Sequence, residues 1–264
     1  MIFGRNRKRS SEPAAEDVDD TAAEPGDEDL ADEDVADVDP DAEPGLDVET
    51  LDATEWRTEG PFDVIELHDG EDELAEGDDE SPRIDLGSLV LTGLPGSELR
   101  LQVSEETQQI VSAMLVISTP EPGADGTGSA SSSALELSAY AAPRSGGLWA
   151  ELRDEISESA TAAGGSASLG EGPFGVELRR LVPVTTPEGE QGYQPSRMWV
   201  AEGPRWLLRG IVYGQAAIEE DLDAPSVAAV LAAFRAVVVR RGDEAMAPGD
   251  LLPLTMPGDL TPAG

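Results

Sequence analysis

Residues 197–214 read RMWVAEGPRWLLRGIVYG, and this stretch decides the fold. Two largely apolar runs flank Gly203-Pro204, and each fits a strand with one buried face. The pattern predicts an antiparallel hairpin. Proline cannot supply the positive φ that a two-residue type I′ turn requires, so a four-residue loop at 202–205 is expected. Ala201 would then face Trp206, and Trp199 would face Leu208. Alternation puts Trp199, Trp206, Leu208 and Val212 on one face, the core face. Arg205, Leu207 and Arg209 fall on the other face with Met198 and Val200. Arg205 and Arg209 thus bring two guanidiniums close together.

Outward from the hairpin, further strands are expected. Residues 98–103 alternate, with Leu99, Leu101 and Val103 opposite Glu98, Arg100 and Gln102. Residues 109–118 (QIVSAMLVIS) are nearly all apolar, as a central strand is. The run 134–141 alternates again, and 175–184 is a further candidate. Between them, Leu148, Leu152 and Ile156 fall at steps of four and predict a helix over 147–163, with Ser145 as cap and Gly164-Gly165 as stop. A second helix opens at Pro225, with Val227, Val230, Leu231 and Phe234 as its buried stripe. Residues 236–241 form its end or a closing strand. Turn-linked strands in this order predict an α+β fold, an antiparallel sheet of about six strands with two packed helices.

Charge divides the chain. Of the 264 residues, 55 are acidic and 17 basic, a net −38, and the first 85 residues alone hold 32 acids and six bases, a net −26. Residues 10–59 carry 21 acids and one base, Arg57, with no sustained apolar period. Such a segment buries too little apolar surface to offset the entropy of ordering it. The expectation is a disordered tail over 1–59, basic at its start (RNRKR, 5–9) and then acidic. One α+β domain follows over 60–257, with a short flexible end at 258–264. Direct nucleic-acid binding is not expected, because phosphates need a Lys/Arg surface. The longest apolar stretch, 224–239, is broken by Pro225 and Arg235, so no membrane span is expected. The basic start lacks an apolar stretch behind it, and a cytoplasmic protein is expected.

The residue inventory narrows the chemistry. There is no cysteine, one histidine (His68) and one lysine (Lys8). Thiolate chemistry, multi-histidine metal centres and Schiff bases are thereby disfavoured, and no metal or cofactor is expected. Gly170-Glu171-Gly172-Pro173-Phe174-Gly175 spells a dinucleotide fingerprint, but it opens a strand where the fingerprint must open a helix. The acidic loop at 69–80 has the length of a calcium loop, yet Leu74 stands where that loop needs glycine. Acid pairs such as Glu105/Glu106, Asp154/Glu155 and Glu219/Glu220 read as solvated. The candidate ligand-binding residues are Arg144, Arg205 and Arg209, a site for an anionic ligand or an acidic partner segment.

The phrases PRIDLGSL (82–89), AAPRSGGLW (141–149), GPFGVEL (172–178), GPRWLLRG (203–210) and VVVRRGDEAMAPGDLLPL (237–254) together resemble an uncharacterised bacterial family, domain of unknown function 3710. The resemblance implies a folded region from about residue 60 to 257 and carries no catalytic residue or cofactor with it. The functional expectation is a non-enzymatic binding or adaptor module with a protein partner. The alternative is an arginine- and carboxylate-based hydrolase or small-ligand sensor.

Overall fold

The computed structural model describes residues 45–67, 82–120, 130–186 and 189–257. Seven strands form one antiparallel sheet: β4 (Glu98–Val103), β5 (Ile110–Pro120), β6 (Ala130–Ala141), β7 (Ser166–Gly172), β8 (Gly175–Thr185), β9 (Gln191–Gly203) and β10 (Trp206–Gly214). Their spatial order is β4-β5-β6-β10-β9-β8-β7. A smaller mixed sheet joins β1 (Phe62–Asp63), β11 (Val238–Val239), β3 (Leu89–Thr92) and β2 (Arg83–Asp85) in that order, with β1 and β11 parallel. The helices are α1 (Val48–Asp52), α2 (Leu148–Ala162), α3 (Gln215–Ile218) and α4 (Pro225–Arg235). The protein is α+β, as the strand pattern predicts.

The large sheet has helices on both faces. Helix α4 packs on β5 and β6, while α2 lies across β7, β8 and β9 on the opposite face. The α4 side holds the main core, where Trp199, Trp206, Leu208, Val212, Leu135, Leu137 and Phe234 pack with Leu89, Leu91 and Val239 of the small sheet. On the α2 side, Leu178, Met198, Val200, Leu207 and Ile211 pack against Leu148 and Trp149. Burying each large apolar side chain contributes about 1.5–3 kcal/mol. Gly210 is required where the layers touch: a Cβ there would meet the Phe234 ring at 2.6 Å.

The central hairpin corrects one expectation and keeps another. Gly203 pairs with Trp206, Ala201 with Leu208 and Trp199 with Gly210, so the connection is the two-residue turn Pro204-Arg205. Arg205 has φ 66°. Proline at the second turn position and a left-handed third residue give the φ pattern of a type II turn, which tolerates the proline that type I′ does not. The register moves by two residues, so side-chain parity is unchanged. Trp199, Trp206, Leu208 and Val212 do share the core face, and Leu207, Met198 and Val200 the other.

Structure also begins earlier than residue 60. Residues 48–52 are helical with Asp47 as cap, Asp52 makes a two-pronged ion pair with Arg153 of α2 (2.6 and 2.9 Å), and Trp56 packs on Phe174 and Trp206. Fixed tertiary partners order a segment whose own composition does not. Helix α2 is entered through Gly147 in the left-handed region with no side-chain cap of its own, so Ser145 is not the cap. His68, the acidic loop at 69–80, residues 1–44 and residues 258–264 lie outside the described residues.

Candidate binding face

Glu177, Arg197 and Trp199 lie on the α4-side face of β8 and β9. Glu177 is 1 % exposed and Arg197 2 %. The Glu177 carboxylate accepts from Arg197 Nε and Nη2 (3.1 and 2.9 Å), Trp199 Nε1 (2.8 Å) and Arg179 Nε (2.6 Å). Arg197 Nη1 donates to the Glu219 carbonyl at 2.8 Å. A desolvated carboxylate beside an arginine has the make-up of a catalytic acid. Here both of its oxygens are occupied by fixed donors of the fold.

A hollow of about 340 Å³ opens between α1 and the start of α2, lined by Trp56, Trp149, Phe174, Asp52 and Glu202. Its carboxylates are committed too. Asp52 is held by Arg153, and Glu202 accepts from the Gly147, Leu148 and Trp149 amides at 3.0, 2.8 and 3.3 Å. Glu202 thereby supplies from another strand the cap and negative charge that α2 needs at its N-terminus.

The α2-side face between β5 and β8 is different. Arg209 reaches Ser138 Oγ (3.3 Å) and lies over the Tyr140 ring at 5.0 Å. Arg180, on β8, makes no hydrogen bond or ion pair among the described residues. The Nε atoms of both arginines are shielded from solvent and have no hydrogen-bond partner among the described residues, and the same holds for Ser112 Oγ and Ser196 Oγ on this face. Ser196 stands directly opposite Arg180. Burial holds the Arg180 guanidinium below its ordinary range; Tyr213 and Glu136 oppose this, and Arg209 adds to it. Tyr213 donates to Glu136 at 3.2 Å, and burial, then the Glu136 charge, push its phenol up to about 12. The phenol is therefore a neutral donor throughout the physiological range. Beside Arg180, a trough of about 400 Å³ runs between α2 and β8, lined by Ile156, Ala160, Ala163 and Val182 and, on its polar side, by Glu155 and Ser159.

Of the three arginines singled out by sequence, Arg209 belongs to this face. Arg205 sits in the turn, where its carbonyl accepts from the Ala142 amide (2.9 Å) and Arg241 Nε (3.2 Å), a role in the backbone. Arg144 is exposed in the loop before α2. No hydrogen bond links the three side chains, and Arg209 shares its surroundings with Arg180 instead. Strand alternation in VELRRLVPV carries the signal for that residue: Glu177 and Arg179 share one face, so Arg180 must sit on the other with Val176 and Leu178. The glycine-rich run 170–175 is the β7–β8 hairpin, with Gly172 paired to Gly175. No group of three metal-ligating side chains gathers among the described residues, and no helix there is long and apolar enough to cross a membrane.

An α+β protein built on a seven-stranded antiparallel sheet is the class that the fold defines. Residues 60–263 match the model of the family described as protein of unknown function, DUF3710, and the chain belongs to that family. The folded segment 45–59 precedes the matched region. No curated protein and no solved structure matches the chain.

Proposed function

We propose that the protein is a binding module that holds an anionic group of its partner on the α2-side face of the large sheet, between Arg180 and Arg209. One observation carries the reading: two half-buried guanidiniums share a sheet face on which no carboxylate among the described residues pairs with either by a hydrogen bond or ion pair. A guanidinium that is partly withdrawn from water gains from a charged acceptor, which its terminal N–H groups can meet two-pronged. Charge-assisted bonds from arginine to a planar carboxylate or a phosphoryl group are among the stronger polar contacts a surface can offer. Binding is favoured over hydrolysis because the desolvated carboxylates, Glu177 and Asp63, are engaged by Arg197, Trp199 and Trp206.

Saturation-transfer NMR with N-acetylglutamate as the probe tests this. The wild-type chain should transfer magnetisation to the ligand, and the Arg180→Ala plus Arg209→Ala variant should not. The Arg144→Ala plus Arg205→Ala variant should behave as wild type. Equal transfer by all three proteins contradicts the reading.

A further inference from the structure

The surroundings of the two arginines discriminate among anions. Around the two guanidiniums stand the Glu136 carboxylate, the neutral Tyr213 phenol and, on the wall of the trough beside Arg180, Glu155. A phosphomonoester dianion meets more repulsion from these two carboxylates than a singly charged group does. At longer range the chain's net −38 repels polyanions such as nucleic acid far more than a short segment with one or two carboxylates.

Apolar surface flanks the charge on both sides. The α2 trough, walled by Ile156, Ala160 and Val182, adjoins Arg180. Across the sheet, Tyr213 pairs with Ala134, and Ala134 with Val116, both half-buried on the same face. Strands lie about 4.8 Å apart, so the four steps from β8 to β5 span about 19 Å, the reach of about six extended residues. A free phosphate would touch only the middle of this strip. A peptide with aliphatic residues on either side of an acid would fill all of it.

We infer, resting on the anion-binding reading above, that the occupant is an acidic–aliphatic peptide segment of a partner protein, its carboxylate between Arg180 and Arg209 and a neighbouring aliphatic side chain in the trough beside α2. Arginine suits this ligand because its planar fork matches a carboxylate two-pronged, and because its stem packs beside apolar groups.

Fluorescence anisotropy with a labelled hexapeptide of sequence Leu-Glu-Val-Glu-Leu-Gly tests it on the full chain. Saturable binding is expected, weakened about tenfold or more in Arg180→Ala plus Arg209→Ala, since two charge-assisted contacts are lost. A peptide with serine at each aliphatic position should bind about fivefold or more weakly, as the buried aliphatic area is gone. Retention of the wild-type melting temperature by the double variant separates lost binding from lost fold. If the serine peptide binds as well as the first, or if inorganic phosphate or a single-stranded oligonucleotide binds at these arginines and the peptide does not, the peptide inference is overturned and the anion site stands. If neither the peptide nor any anion binds, both fall together.

Discussion

The two faces of the seven-stranded sheet are made by the same strands, yet they treat arginine in opposite ways. On the α4 side, Arg197 is sealed in the core and most of its donors end on Glu177 or the Glu219 carbonyl. On the α2 side, Arg209 has one long bond to a serine and Arg180 has none among the described residues. A buried charge is tolerated only when it is paired and hydrogen-bonded, and Arg197 meets that condition within the chain. Arg180 and Arg209 fall short of it. The proposed anion site rests on that difference: one face pairs its arginine within the fold and the other leaves two with little pairing among the described residues.

Breaking the satisfied side should have the largest effect. Glu177→Ala leaves Arg197 and the Trp199 indole without their acceptor in the core, and urea unfolding should show a loss of about 3–5 kcal/mol. Gly210→Ala, on the same face, drives a methyl into the Phe234 ring and should cost about 1–3 kcal/mol. Asp52→Ala sharpens the comparison from the α2 side. Arg153 is an arginine of α2 whose side chain is only 8 % exposed and whose carboxylate partner is Asp52. Removing that partner should cost about 1–3 kcal/mol. Arg180→Ala should have the smallest effect and should not destabilise the chain, because no hydrogen bond to another described residue is lost and a shielded, unpaired donor is removed.

A titration checks the chemistry of the open face. The Tyr213 phenol is raised from 10.0 to about 12 in the folded protein. The folded state therefore holds the proton more tightly than the unfolded state. The stability that this group contributes is intact below pH 10 and is lost as pH rises through about 12. Absorbance at 295 nm should show a late phenolate component that Tyr213→Phe removes.

The features legible in the sequence were those with a local period. The alternation of 197–214 placed Trp199 and Trp206 on one face even though the turn is shorter than expected, because a two-residue shift preserves parity. The stripes of α2 and α4 were legible for the same reason. Strand β7, SASLGEG, was not: it is an edge strand whose side chains are mostly exposed, so selection for apolar alternation is absent. Of the small sheet, the sequence offers β11 only as one of two readings of 236–241 and β1 not at all, since these two-residue strands depend on long-range pairing. The order of residues 48–56 depends on Arg153 and Phe174, more than a hundred positions away. On the α2-side face, alternation gives the position of Arg209, while Arg180 stands beside Arg179 in a dipeptide whose members face opposite ways.

The most direct measurement follows arginine Nε–H signals in protein labelled with ¹⁵N-arginine, free and then saturated with N-acetylglutamate at constant ionic strength. The Arg180 and Arg209 signals should move together with a common saturation curve, and the Arg197 signal should stay fixed. Movement of Arg144 and Arg205 alone, or no movement at all, would contradict the assignment of the α2-side face as the place where this protein meets its partner.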